Sequence, residues 1–133
     1  MPGKDPDHWL YRLSPEEWLS AAEGELVRAR QALANKQHRQ GVAGARRAAG
    51  MAWNAVLYLS VDDAYGRSYM DHLKALGEDA TIPDTVRRVS LALVGAPLQT
   101  QIVQLGPGDT SLADAAEVIV AHARERVAPT ASA

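Results

Sequence analysis

Residues His38–Leu59 read HRQGVAGARRAAGMAWNAVLYL and end in a nearly continuous apolar run. After residue 47 only Gly50 and Asn54 interrupt that run. A helix that is apolar around most of its circumference must be buried on most of its sides. The stretch therefore predicts the central, most buried helix of a bundle. The residues expected to be inaccessible are Ala49, Ala52, Trp53 and Val56.

Three glycines interrupt the same segment, at Gly41, Gly44 and Gly50. Each lowers helix propensity by about 1 kcal/mol relative to alanine. We therefore expect them to serve the close approach of a neighbouring helix. The apolar surface and these glycines together also predict pairing with a second copy of the chain, because most soluble homo-oligomers are two-fold dimers.

The helix before this segment has a clear beginning. Ser14 is placed as N-cap, Pro15 as first helical residue and Glu17 as the acidic member of a Ser-x-x-Glu capping box. The pattern predicts a helix that ends near residue 36 or 37. Its buried stripe recurs at helical spacing: Trp18, Ala22, Leu26, Ala29 and Leu33.

The rest of the chain predicts three further helices. The first covers 67–76 and stops at Gly77, and the next opens with Pro83 as its first residue and ends before Gly95. A last helix begins at Thr110 or Ser111 and runs to about residue 127.

The sequence predicts an all-α fold, an up-and-down helical bundle of four main helices plus a short helix. We expect an N-terminal lead-in over 1–13, a single helical bundle domain over 14–128 and a disordered tail over 129–133. Residues 98–110 are interpreted as a loop with a possible extra turn.

Composition restricts the class of protein. A chain of 133 residues suits one domain with its own core. It has no cysteine, which excludes disulfides and thiol catalysis and favours the cytoplasm. No stretch approaches the roughly 18 consecutive apolar residues of a membrane span, and MPGKDPDHW does not resemble a signal peptide.

Charge is unevenly distributed although the net charge is only −2. Residues 27–61 contain no acidic side chain, and such a basic cluster can mark a surface for nucleic acid or an acidic partner. The slightly acidic chain as a whole favours ordinary solvated helix ends instead. The basic residues of the segment are Arg28, Arg30, Lys36, Arg39, Arg46 and Arg47.

No metal, cofactor or catalytic motif stands out in the sequence. The four histidines form no zinc-type spacing with one another or with glutamate, and phosphate-loop and nucleophile-elbow motifs are absent. His122 is expected to be a partly exposed helix residue. We therefore predict no metal and no cofactor.

The order of helices resembles that of the HEPN family of small helical domains, over roughly residues 18–127. The segments that carry the resemblance are WLSAAEGELVRARQAL, RRAAGMAWNAVLYL, YMDHLKAL and DAAEVIVAHARERV. Many members of that family have Ala-Glu-Lys in the second helix, where this chain has Ala49, Gly50 and Met51. The resemblance implies a non-catalytic interaction module that forms a homodimer and pairs with a nucleotidyltransferase or a similar protein.

Two alternative functions remain open. Family nucleases carry Arg-x4–6-His, and Arg67 to His72 has that spacing. Eleven arginines and four histidines produce about one such match by chance, so the preferred interpretation is structural. Arg67 would then pair with Asp63 or Asp71, and His72 would lie at the surface or in an interface.

The second alternative is a bundle that binds a nucleotide or another small ligand. Its candidate residues are Arg39, Arg46 and Arg47 in the basic segment, together with Asn54 in the apolar run. The more ordinary expectation for Asn54 is a hydrogen bond inside the bundle, because buried polar groups are usually paired.

Overall fold

The computed structural model describes residues 12–96 and 111–132, with side chains as far as residue 128. These ranges contain helices and no strand, which confirms the all-α bundle. The helices are α1 (Pro15–Ala34), α2 (His38–Leu59), a 3-10 helix (Asp63–Tyr65), α3 (Tyr69–Glu78), α4 (Asp84–Gly95) and α5 (Ser111–Ser132). The predicted loop 98–110 and most of the lead-in 1–13 lie outside the described residues.

Helix α1 begins as the sequence predicts. The Ser14 hydroxyl accepts a hydrogen bond from the Glu17 backbone N–H at 3.1 Å, and the Glu17 carboxylate accepts one from the Ser14 N–H at 2.8 Å. Two N–H groups of the first turn are thereby satisfied. The helix ends slightly earlier than predicted, because Lys36 adopts a positive φ of 63°.

Helix α2 is the centre of the fold, as its apolar run predicts. It packs against α1, α5 and α3, and more lightly against α4. The four residues predicted to be inaccessible are all buried: Ala49, Ala52, Trp53 and Val56. The predicted α1 stripe is buried as well, and it faces this helix.

The glycines of α2 serve contacts within the chain. Gly44 lies against Ala29 of α1, where a Cβ would approach the Ala29 Cβ to 3.2 Å. Gly50 lies against Tyr69 of α3, and a Cβ there would overlap the Tyr69 side chain. The expected close approach of neighbouring helices is confirmed. Because these glycines are used in contacts within the chain, they no longer support the prediction of a dimer.

Several predicted helix ends need correction. Helix α3 begins at Tyr69 and not at Arg67, because Ser68 and Asp71 form a capping box that the sequence analysis missed. It continues through Gly77, whose missing side chain makes room for Leu91 of α4. Pro83 is the N-cap of α4 and not its first residue.

Two further differences concern the segment between α2 and α3 and the end of α5. The 3-10 helix Asp63–Tyr65 was not predicted, and it forms where the Asp62 carboxylate accepts a hydrogen bond from the Ala64 N–H. The backbone of α5 continues to Ser132, so the predicted helix end at about residue 127 is too early.

Ion pairs join the long helices at their outer edges. Arg30 of α1 binds Asp114 and Glu117 of α5 at 2.6 and 2.7 Å. Arg124 of α5 pairs with Glu23 of α1. Exposed pairs of this kind contribute little to stability individually.

Candidate functional site

A buried polar contact lies between α2 and α3. Asn54 and His72 both have zero exposure, and Nε2 of His72 lies 2.8 Å from Oδ1 of Asn54. The other ring nitrogen, Nδ1, lies 2.8 Å from the backbone carbonyl oxygen of Tyr65. The expectation that Asn54 is hydrogen-bonded inside the bundle is confirmed, whereas the surface or interface position expected for His72 is wrong.

Local structure on both sides holds His72 in this position. The capping box of Ser68 and Asp71 fixes the first turn of α3, with the Asp71 N–H donating to the Ser68 hydroxyl at 3.0 Å. The Asp71 carboxylate in turn accepts hydrogen bonds from the side chain and the backbone N–H of Ser68, and these lower the pKa of Asp71. Tyr65, which offers its carbonyl to His72, is anchored in turn by its hydroxyl, which donates to Asp79 at 2.6 Å.

Burial determines the charge of the His72 ring. Removal from water disfavours the charged form and lowers the pKa of His72. A neutral imidazole has a single N–H, so it donates to only one of the two oxygens that face it. If Nδ1–H donates to the Tyr65 carbonyl, Nε2 carries no proton and can only accept a hydrogen bond. The Asn54 amide supplies that hydrogen bond when its NH₂ group is turned toward Nε2. The neutral ring therefore acts as a bridge between α2 and the chain before α3.

A cleft opens on the outer side of this contact. It has a volume of about 550 Å³ and is lined by Arg12, Trp18, Asn54, Arg67, Ser68 and Tyr69. Trp18 belongs to α1, Asn54 to α2 and Tyr69 to α3, so three helices contribute to it. Tyr69 is seated there because Gly50 has no side chain to keep it away from α2.

Arg67 lines this cleft, but the ring nitrogens of His72 that catalysis would need are buried. Arg67 is exposed, whereas the His72 ring is buried with both nitrogens engaged. Within the described ranges Arg67 forms neither of the ion pairs expected with Asp63 and Asp71. Asp71 instead accepts hydrogen bonds from backbone N–H groups at the start of α3.

The candidate ligand residues of the basic segment do not converge with Asn54. Arg39 is exposed at the start of α2. Arg46 turns toward α4 and donates to the carbonyl oxygens of Leu93 and Ala96 at 2.9 and 2.6 Å. It thus caps the C-terminal end of α4, where a cation is favourable, although burial lowers its pKa.

Arg47 has a different structural role, on the side of α2 that faces α1. It donates to the Glu25 carboxylate of α1 at 2.9 Å, and Arg28 binds the other oxygen of the same carboxylate. A polar cleft of about 430 Å³ beside this cluster is lined in part by Gln31, Asn35 and Gln40. Arg39, Arg46 and Arg47 therefore lie in three different environments.

A second aromatic cluster lies where α2 meets α5. Trp53 stacks on His122 with ring centroids 6.0 Å apart, and the Arg126 guanidinium lies 5.8 Å from the Trp53 ring. His122 is half-buried, as predicted, and its pKa is lowered by burial and by Arg126. This arrangement is a packing contact that joins the two helices.

Within the described residues, no cluster of three or more histidine, aspartate or glutamate side chains is arranged to hold a metal. Among the described helices, none combines the length and the apolar character that crossing a membrane requires. The chain matches no protein-family model, and comparisons with curated proteins and with solved structures likewise found no match.

Sequence reasoning selected three residues of this region, Asn54, Arg67 and His72, but not their relationship. Asn54 and Arg67 were candidates for different functions, whereas the structure places both at one cleft. The signal available was that Asn54 and His72 are polar residues on otherwise apolar helix faces. Arg12, Ser68 and Tyr69 carry no sequence pattern that indicates a shared site.

Proposed function

We propose that the protein is a non-catalytic, HEPN-like helical interaction module of the cytoplasm. The observation that carries the non-catalytic part is the burial of His72, with both ring nitrogens within hydrogen-bond distance of protein oxygens. The HEPN-like part rests on the resemblance in helix order, with two long helices, shorter ones and a long last helix.

Ribonuclease action would require different surroundings for His72. A histidine that exchanges a proton with RNA must come within hydrogen-bond reach of the reacting oxygen. The His72 ring has no exposed surface, and its lowered pKa disfavours the charged form that would act as an acid. A nuclease that uses Arg67 and His72 is therefore not the function that this geometry favours.

Self-association is the second part of the proposal. With α2 covered by the other helices, the apolar residues left for a partner are few. Leu59 and Val61, at the end of α2, are 39% and 50% exposed. We propose that this end of α2 contacts the same end of a second copy in a two-fold dimer. A nucleotidyltransferase-type protein is the hetero-partner that the family resemblance implies.

Light scattering on purified protein tests the dimer. We expect the mass of two chains, and Val61→Glu should shift it toward one chain because a charge would be buried in the contact. Val27→Glu is the matched control, since Val27 is 55% exposed on α1. A one-chain mass at high concentration, or equal effects of the two variants, contradicts the proposed dimer contact.

An RNA cleavage assay tests the non-catalytic part. We expect no cleavage of single-stranded or transfer RNA above that of a mock purification. Arg67→Ala and Arg88→Ala, two exposed arginines, should behave identically in this assay. Cleavage that is lost in Arg67→Ala and kept in Arg88→Ala would establish the nuclease alternative.

A further inference from the structure

We propose that the cleft between α1, α2 and the start of α3 binds a small aromatic anion. Its carboxylate or phosphate would lie between Arg12 and Arg67, its ring against Trp18 and Tyr69, and a polar group on the far side of the ring at Asn54. This site does not depend on self-association. It shares Asn54 with the ligand site considered in the sequence analysis, but it uses none of the basic residues proposed there.

The positive charge of the cleft comes from two arginines. Arg12 and Arg67 both line it, and neither forms an ion pair with the described residues. Elsewhere on α1 and α2, Arg28, Arg30 and Arg47 are all paired with carboxylates. Two guanidinium groups at one cleft, with no counter-ion among the residues that the structure describes, suit a carboxylate or phosphate, which arginine binds through paired N–H donors.

The start of α3 does not supply the charge by itself. Its first N–H groups already donate to the Ser68 hydroxyl and the Asp71 carboxylate. Asp71 also disfavours an anion placed directly on the helix axis. The anion is therefore assigned to the arginine side chains and not to the helix terminus.

The floor of the cleft provides independent evidence for a ligand. Asn54 lines the cleft and is fully buried, yet its Nδ2 atom has no hydrogen-bond partner in the described part of the chain. If the amide turns Nδ2 toward His72, the oxygen Oδ1 becomes the atom without a partner. A buried amide left half-satisfied costs free energy, and a ligand polar group would supply the missing bond.

The walls favour a flat apolar body between these polar ends. Trp18 and Tyr69 present aromatic rings at the cleft, and aromatic side chains pack well against flat ligands. A volume of about 550 Å³ lies in the range of ordinary small-ligand sites. The combination selects a ring system with an anionic group at one end and a hydrogen-bonding group at the other.

Isothermal titration calorimetry with matched naphthalene probes tests the proposal. We expect 6-hydroxy-2-naphthoate to bind more tightly than 2-naphthoate, because its hydroxyl both donates and accepts and so pairs with either amide atom of Asn54. We expect the neutral 6-hydroxy-2-naphthalenemethanol to bind about tenfold or more weakly than the hydroxy acid, because it lacks the charge. 6-Hydroxy-2-naphthyl phosphate distinguishes a phosphate site from a carboxylate site.

Two variants locate the site. Arg67→Gln should weaken binding of the hydroxy acid by about tenfold or more, whereas Arg39→Gln, at another exposed arginine, should leave it unchanged. Thermal melting of both variants confirms that they fold. Equal binding of the acid and the neutral probe, or equal loss in the two variants, overturns the proposal. Absence of binding by every probe also overturns it.

Discussion

Asn54 of α2 and His72 of α3 meet at 2.8 Å in a contact from which solvent is excluded. The other nitrogen of the same imidazole reaches the Tyr65 carbonyl at 2.8 Å. One neutral ring therefore connects the central helix with the 3-10 helix and with α3. This relationship explains why a histidine whose spacing from Arg67 matches a nuclease motif is better understood as a structural residue.

Removal of the Asn54 side-chain amide should destabilise the fold. We expect Asn54→Ala to lower the free energy of unfolding by about 1–3 kcal/mol, because the buried His72 nitrogen loses its partner. Urea unfolding measures the change. Gln40→Ala, an exposed amide on the same helix, is the control and should change stability by less than about 0.5 kcal/mol. Equal effects would contradict a structural role for the pair.

Stability should decrease in mild acid. The pKa of His72 and that of His122 are both lowered in the folded protein, whereas the unfolded chain takes up protons near the ordinary value of about 6.5. Their contribution is therefore complete above that value and is lost as the pH falls from it toward the folded pKa. The slope is at most about 1.4 kcal/mol per pH unit for each histidine.

Urea unfolding at a series of pH values checks this dependence. His122→Gln should remove the contribution of His122 to the pH dependence of stability and leave the contribution of His72. Gln40→Ala, which changes no titratable group on α2, is the control and should leave the slope unchanged. A wild-type stability that stays flat as the pH falls below about 6.5 would contradict the neutral, buried state of His72.

Gly50 should not tolerate a larger residue. A Cβ at this position would overlap the Tyr69 side chain, so Gly50→Ala should lower the melting temperature although alanine favours helices. Gly24→Ala on α1 is the matched control, since its Cβ would lie 3.6 Å from the flexible end of Arg28. There the helix preference should dominate and raise stability by about 0.5–1 kcal/mol. Stabilisation by both variants would show that α3 does not pack on Gly50.

A charge in the centre of α2 should abolish folding. Ala52 is fully buried, and Ala52→Glu would place a carboxylate without a partner in a closely packed core. Circular dichroism should show loss of the cooperative transition. Ala92→Glu, at an exposed alanine of α4, should melt like the parent protein. A cooperatively melting Ala52→Glu variant would contradict the central position of α2.

The sequence predicted most of the fold because the decisive signals were local. The capping box of Ser14 and Glu17 and the apolar run of α2 act through neighbouring residues or through simple burial. The boundaries of α3 were predicted less well, because Gly77 indicates a helix end locally. Its real role is to admit Leu91 from another helix, and that contact is visible only in three dimensions.

The candidate site was less predictable for the same reason. Arg12, Asn54 and Arg67 are far apart in the sequence, and only the packing of three helices brings them to one cleft. The position of Arg46 illustrates the converse. It belongs to a basic cluster in the sequence, but its guanidinium is used to cap α4 through a contact that spacing does not reveal.

The state of the His72 ring can be observed directly by nuclear magnetic resonance, through its nitrogen chemical shifts during a pH titration of the folded protein. We predict a neutral ring with its proton on Nδ1, slow exchange with water, and protonation only below the ordinary value near 6.5, because burial lowers the pKa of His72. A ring that titrates at its ordinary pKa and exchanges freely with solvent would contradict the account. Such a result would make His72 a candidate catalytic residue.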